Sequence, residues 1–153
     1  MPRYTASSLV SRRSRFEIGV LVSNTTAQSQ SEVQKEQPGA HEASGRHLLL
    51  TLNDCSSHLL NDIDALRELA GAAAVATGAT VLNICAQKFE PQGVTVVVVL
   101  AESHASLHTY PEVQKVFWDC FTCGTICDPE KSVTVLQKGL EARTVSSQII
   151  CRQ

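Results

Sequence analysis

The middle of the chain is its most informative part, because residues 89–112 read FEPQGVTVVVVLAESHASLHTYPE. The apolar run from Val94 to Ala101 is interrupted by one threonine and has the length and β-branched content of a buried central strand. A Pro-Gln-Gly turn precedes this run. After Ser103 the pattern continues as a short strand to Thr109. The stretch therefore predicts two consecutive strands that meet at Glu-Ser-His.

Further strands are predicted on both sides of this stretch. Segments 47–52, 79–88, 116–122 and 144–151 have the length and apolar content of strands. Turn residues separate them, including Pro111 after the second of the two central strands. With two helices, these strands predict a two-layer α/β sandwich, in which a mostly antiparallel sheet carries both helices on one face.

Two segments show the spacing of amphipathic helices. Apolar residues recur at helical spacing over residues 59–73, after the capping residue types at 54–57, and this helix should end near Gly78. The second helix should begin at Asp128-Pro129-Glu130, with proline at a first-turn position. Its expected apolar face consists of Val133, Leu136 and Leu140.

The first 43 residues differ in composition from the rest. They are mostly polar and lack the apolar content to fold alone, so they predict a disordered extension before a folded unit at residues 44–153. Arg3, Arg12, Arg13 and Arg15 precede the first acidic residue, Glu17. This pattern resembles an organelle transit peptide, although an unconserved leader or a start codon assigned too early would explain it as well.

Composition also limits the partners and the compartment. A net charge of -2 argues against a general binder of nucleic acid or of anionic membranes. No apolar run approaches the roughly 20 residues that span a bilayer, and no secretory signal is evident. Without such a signal, the six cysteines are expected to be reduced thiols in a cytoplasmic protein.

Four short motifs follow one another in the chain. They are Phe-Glu-Pro-Gln-Gly at 89–93, Glu-Ser-His at 102–104, His-Thr-Tyr-Pro-Glu at 108–112 and Phe-Thr-Cys-Gly at 121–124. In this order they resemble the small prokaryotic S-adenosylmethionine decarboxylases, over a match that runs from Gly45 to about Ala142. Four motifs in the right order are far more specific than any one of them.

The resemblance implies that the chain cleaves itself between Glu102 and Ser103. The Ser103 hydroxyl would attack the Glu102 carbonyl and convert the amide into an ester. Loss of the serine α-proton would eliminate the Glu102 carboxylate, and the dehydroalanine left behind would hydrolyse to a pyruvoyl group and ammonia. His108 matches the histidine that serves processing in the family, as a base for this proton. Thr95 stands where the family has a serine that helps processing.

The resemblance also implies the decarboxylation chemistry. The pyruvoyl ketone would form a Schiff base with S-adenosylmethionine, without pyridoxal phosphate, and Cys123 would protonate the carbanion. Phe89 and Tyr110 match positions that stack on adenine and attract the sulfonium, and Glu112 matches the residue that binds the ribose hydroxyls. The family is expected to form homodimers of processed protomers with residues from both at each site, and to supply the aminopropyl donor for spermidine synthesis.

Several positions depart from the family pattern. Gln87 replaces a histidine, Val96 replaces a glycine, Tyr110 replaces a tryptophan, and segment 111–119 is altered. These changes leave two alternatives open. One is a pyruvoyl-dependent decarboxylase of ornithine or arginine, and the other is an uncleaved paralogue that regulates an active enzyme.

A metal site is the competing interpretation of the cysteines. Cys120 and Cys123 have the spacing of a zinc half-site, and His104, His108 and Cys127 are close in sequence. No second spaced cysteine pair accompanies them. We therefore expect no metal.

Overall fold

Six strands form one sheet in the computed structural model, which describes residues 44–124 and 126–153. The strands are β1 (Gly45–Asn53), β2 (Val81–Lys88), β3 (Val94–Leu100), β4 (Ser103–Tyr110), β5 (Lys115–Cys123) and β6 (Thr144–Arg152). Their order across the sheet is β2-β3-β4-β5-β1-β6, and all neighbours are antiparallel. The predicted central strands are β3 and β4, joined by a tight hairpin at Ala101 and Glu102.

The helices α1 (Ile63–Ala76) and α2 (Lys131–Gly139) complete one core with one face of the sheet. Alternate residues of β1, β3, β4 and β5 are buried in that core, as the strand period of two requires. Trp118 on β5 is fully buried, and its indole Nε1 donates to Ser132 Oγ on α2 at 3.1 Å. The predicted two-layer sandwich, with a mostly antiparallel sheet, is confirmed.

The other face of the sheet carries no helix of the described residues, and we call it the open face. Its outward side chains include His47, Leu49, Thr95, Val97, Val99, His104, Ser106, His108, Tyr110, Phe117, Asp119, Phe121 and Ile150. Val97 and Val99 are 40% and 43% exposed, and Phe117 and Ile150 are each 39% exposed. These exposed apolar residues lie on β3, β5 and β6, and between them the middle of the open face carries the polar pair Ser106 and Asp119.

The first helix begins later than the sequence predicts. Residues Leu59–Asn61 form a 3-10 turn, and α1 starts only after Asp62. The Asp62 carboxylate accepts from the backbone N–H groups of Asp64 and Ala65, each at 3.1 Å. Residues 54–57 are therefore not the cap, because Asp62 satisfies the free N–H groups of the first turn. The helix ends at Ala76, close to Gly78 as predicted.

The second helix also begins later, at Lys131. The Asp128 carboxylate accepts from the backbone N–H of Glu130 at 3.2 Å and pairs with the Arg46 guanidinium at 3.1 Å. Residues 128–130 form a turn that leads directly into α2, because the backbone N–H groups of Lys131 and Ser132 donate to the carbonyls of Asp128 and Pro129, each at 3.2 Å. Leu136 and Leu140 are buried and Val133 is half-buried, so the predicted apolar face is confirmed.

The predicted polar extension, residues 1–43, lies outside the described residues, and its disorder stays a prediction. Within the described ranges, no helix combines the length and the apolar character needed to cross a bilayer. All six cysteines lie in these ranges, and none of them forms a disulfide there.

Candidate active site

The Glu102–Ser103 bond lies at the tip of the β3–β4 hairpin and is held against the start of β2. The backbone N–H of Ala101 donates to the Thr80 carbonyl at 3.0 Å. The backbone N–H of Thr80 in turn donates to the Glu102 carboxylate at 2.9 Å, and this hydrogen bond lowers the pKa of Glu102. Both the backbone and the side chain on the N-terminal side of the bond are therefore fixed.

The carbonyl of this bond is polarised by the neighbouring strand. The backbone N–H of Cys123, at the end of β5, donates to the Glu102 carbonyl oxygen at 3.3 Å. Ser103 lies opposite Thr122 in the register, and its hydroxyl is hydrogen-bonded to His104 Nδ1 at 3.2 Å. A hydroxyl nucleophile, a basic nitrogen and a donor to the carbonyl thus meet at one peptide bond. We call Glu102, Ser103, His104 and Cys123 the cleavage cluster.

A cavity of about 720 Å³ adjoins this bond, and it contains the predicted proton donor. Its lining includes Glu102, Cys123, Gly124 and Cys127. Burial raises the pKa of the Cys127 thiol, and it raises the pKa of the buried Cys120 thiol to about 12. Of these three thiols, Cys123 is the half-exposed one, so it is the thiol that can meet a substrate in the cavity.

The predicted processing residues lie together at the other end of the hairpin. Thr95 on β3 is the direct cross-strand partner of His108 on β4, and Thr95 Oγ1 is hydrogen-bonded to His108 Nδ1. Threonine therefore provides the hydroxyl expected at this position. The next residue, Val96, is fully buried on the helix side of the sheet, so its departure from the family pattern does not reach this face.

The predicted substrate-binding residues surround the same histidine. The ring centroid of His108 lies 6.1 Å from that of Phe89 and 4.8 Å from that of Tyr110. Glu112 follows in a 3-10 turn and accepts from Gln92 Nε2 at 3.1 Å. We call these residues the His108 cluster; its members are Phe89, Thr95, His108, Tyr110 and Glu112.

The two clusters are separate within one chain. Ser103 and His108 are five residues apart on one extended strand, which separates their Cα atoms by ~17 Å. Cys123 lies with Ser103, whereas all the predicted adenine-binding and ribose-binding residues lie with His108. The sequence suggested His104 only as a metal ligand and missed its place beside Ser103, although its adjacency to the serine was visible. Among residues 44–124 and 126–153, no group of three or more His, Cys, Asp or Glu side chains forms a metal site.

The fold and the Glu-Ser-His hairpin define a class of small two-layer α/β proteins, and comparison with known proteins identifies the family. Residues 46–153 match the family described as S-adenosylmethionine decarboxylase. The chain belongs to this family.

Individual relatives agree with this assignment. The S-adenosylmethionine decarboxylase proenzyme of Caldanaerobacter subterraneus subsp. tengcongensis is 38% identical over 110 residues, which cover 72% of this chain and 89% of the relative. The corresponding proenzyme of Symbiobacterium thermophilum is 41% identical over 113 residues, covering 74% and 86%. The crystal structure of the adenosylmethionine decarboxylase from Aquifex aeolicus VF5 matches with a TM-score of 0.64 at 28% identity, covering 69% of this chain and 88% of that one.

Proposed function

We propose that the chain is a proenzyme that cleaves itself between Glu102 and Ser103 and then decarboxylates S-adenosylmethionine, supplying the aminopropyl donor for spermidine synthesis. The observation that carries this proposal is the Glu102 carbonyl, which accepts from Cys123 N–H beside the Ser103 hydroxyl. The pyruvoyl group formed from Ser103 supplies an electrophilic carbonyl and an electron sink, so the reaction needs neither pyridoxal phosphate nor a metal. Family membership and the names of the relatives support the substrate.

The remaining site residues bind the substrate and move one proton. Phe89 and Tyr110 present aromatic faces that stack on adenine and attract a sulfonium cation. The Glu112 carboxylate accepts from the ribose hydroxyls. Cys123, beside the cavity, donates the proton that replaces carbon dioxide. Because Phe89 and Tyr110, the residues proposed to stack on adenine, both lie beside His108, they support S-adenosylmethionine over ornithine or arginine, neither of which contains adenosine.

The intact mass of freshly purified protein tests this function. The expected result is two chains, residues 1–102 and residues 103–153, the second with a pyruvoyl group in place of its serine. Carbon dioxide release from S-adenosylmethionine, ornithine and arginine then identifies the substrate. A single chain that stays uncleaved for days would contradict the proposal and favour the regulatory paralogue.

A homodimer would bring together the cleavage cluster and the His108 cluster, which are separate within one chain. One chain alone does not bring His108 to the serine that it is proposed to process, because ~17 Å of strand separates them. The clusters occupy opposite ends of the β3–β4 hairpin. A twofold axis parallel to the open face and perpendicular to the strands of this hairpin would place the cleavage cluster of one protomer against the His108 cluster of its partner, twice. The exposed apolar side chains of this face, Val97 and Val99 on β3 and Phe117 on β5, support such a contact.

Co-expression of two inactive variants tests whether each site is formed by residues of both protomers. Ser103→Ala cannot cleave, and His108→Ala lacks the processing base. When they are co-expressed, mixed dimers are expected to cleave the His108→Ala chain, because its Ser103 meets the partner's His108. Intact mass should then show cleavage of that chain alone, approaching half of the total chains when mixed dimers predominate.

The matching control is each variant expressed alone, which should stay uncleaved. Absence of cleavage in mixed dimers of verified composition would place His108 in the same protomer as the Ser103 that it serves, and would contradict the shared site.

Replacing Cys123 with alanine separates cleavage from decarboxylation. The Cys123 backbone N–H still polarises the Glu102 carbonyl, so we expect the chain to cleave. Without the thiol we expect kcat to fall about 100-fold or more, since a positioned proton donor contributes roughly 10²–10⁴. Cys151→Ala is the control, because that thiol is exposed and outside the cleavage cluster. Unchanged turnover in Cys123→Ala would remove Cys123 from the proton-donor role.

The state of the cysteines supports a proposal for the cellular compartment. The six free cysteines agree with a reducing environment, and we propose a cytoplasmic location for the enzyme.

A further inference from the structure

We infer that His104 is the general base that activates Ser103 for the first step of cleavage, a step separate from the one proposed for His108. This inference rests on the proposed self-cleavage. His104 Nδ1 lies 3.2 Å from Ser103 Oγ, within the distance that proton transfer requires. His108 cannot take this role within the same chain, because it lies five positions along the strand from Ser103, at a Cα separation of ~17 Å.

His104 is exposed at the start of β4, where solvent and Ser103 both reach its ring. His104 lies opposite Val99 on β3 and Phe121 on β5. Its ring centroid is 6.1 Å from that of Phe121, with the two planes inclined at 59°. The imidazole therefore has the Phe121 ring as a neighbour and hydrogen-bonds to the serine. On the electrophile side, Cys123 N–H binds the carbonyl oxygen and Thr80 holds the Glu102 carboxylate.

The step balances without a co-reactant. With its hydrogen on Nε2, neutral His104 accepts the Ser103 hydroxyl proton at Nδ1 as Oγ bonds to the Glu102 carbonyl carbon. The five-membered intermediate carries its negative charge on the oxygen that Cys123 N–H binds. The bond between that carbon and the Ser103 nitrogen then breaks, and His104 returns the proton to this nitrogen. The product is an ester with a free amine, formed with no net change in protonation.

His104 is assigned to the acyl shift and His108 to the later elimination, so replacing one or the other should leave a different product. Loss of His108 blocks elimination after the acyl shift, so the ester should accumulate. Loss of His104 blocks the acyl shift itself, so the amide should persist. Hydroxylamine distinguishes them, because it cleaves an ester but leaves an ordinary amide intact. Cleavage of the ester yields residues 1–102 as a hydroxamate and residues 103–153 with an unmodified N-terminal serine.

The experiment measures cleavage of freshly purified full-length precursor by intact mass, with and without hydroxylamine. His104→Ala is expected to slow self-cleavage by at least about 100-fold, the lower end of general-base contributions, and to yield no hydroxylamine fragments. His108→Ala is expected to yield them. His58→Ala is the matched control, because His58 Nδ1 is also hydrogen-bonded to a serine hydroxyl, that of Ser56 at 2.9 Å, away from the cleavage bond. Its cleavage rate should equal that of wild type.

Two results would overturn the inference. One is cleavage of His104→Ala at the wild-type rate. The other is a double variant, His104→Ala with His108→Ala, that accumulates the ester as fast as His108→Ala alone. Either result leaves self-cleavage itself intact. An uncleaved wild-type chain would instead defeat the proposed function and this inference with it, so the two failures are distinguishable.

Discussion

Ser103→Ala is expected to leave the chain in one piece and to abolish decarboxylation. Alanine removes the hydroxyl that attacks the Glu102 carbonyl, and the precursor of the pyruvoyl group is lost with it. The hydrogen bonds from Ala101 to Thr80 and from Cys123 to Glu102 involve backbone atoms, so the hairpin should keep its conformation. Intact mass under denaturing conditions should show one uncleaved chain, and carbon dioxide release should fall to background.

Ser106→Ala provides the control for this result. Ser106 is on the same strand, and its hydroxyl donates to Asp119 at 3.4 Å, outside the cleavage cluster. The Ser106→Ala variant should cleave itself at the wild-type rate. Full activity in Ser103→Ala would exclude the pyruvoyl mechanism, whereas loss of cleavage in Ser106→Ala as well would indicate a general sensitivity of β4.

Trp118→Ala is expected to have the largest effect on stability, lowering the free energy of unfolding by about 3–5 kcal/mol. The indole is fully buried and its Nε1 donates to Ser132, so it joins the sheet to α2 as well as filling the core. Alanine would leave a cavity at this junction. Urea unfolding at a fixed protein concentration measures the loss, because association of protomers would otherwise shift the midpoint.

Trp118→Phe isolates the hydrogen bond from the packing. Phenylalanine retains most of the buried ring but has no N–H donor. We expect it to lose less than half as much stability as Trp118→Ala. The Ser132 hydroxyl still donates to the Pro129 carbonyl at 2.6 Å, so this group keeps one partner. A loss below about 1 kcal/mol in Trp118→Ala would contradict the packing argument, since a fully buried tryptophan rarely costs so little.

The helix starts show where local patterns are insufficient. Residues 54–57 and Asp62 are both good caps by residue type, and both precede apolar residues at helical spacing. The structure uses Asp62 because its carboxylate reaches two free backbone N–H groups. The Asp128 carboxylate both accepts from the Glu130 N–H and pairs with Arg46 on β1, while the regular helix begins at Lys131. Residue type therefore marks the region of a helix start, and the conformation of the chain decides the residue at which the helix begins.

The strands of the sheet were predictable from local information, whereas cleavage at Glu102–Ser103 is implied by the family resemblance and stays a prediction. The apolar run of β3, the following β4 and the Glu-Ser-His between them are adjacent in the chain, and strand alternation operates over neighbouring residues. The family resemblance implied a role for every member of the two clusters except His104, which the structure adds beside Ser103. The position of a residue in one motif does not determine its distance from the residues of another motif. The roles of these residues stay proposals.

The predicted strand after Ser103 already separates Ser103 from His108, but only the folded sheet shows that Cys123 N–H reaches the Glu102 carbonyl and that His104 is hydrogen-bonded to the serine hydroxyl. Ser103 and His108 are five positions apart in sequence, and their Cα atoms are ~17 Å apart because a strand is extended. Glu102 and Cys123 are 21 positions apart, and they meet because β4 and β5 pair. Secondary structure depends on neighbours along the chain, whereas an active site depends on which strands pair and in which register.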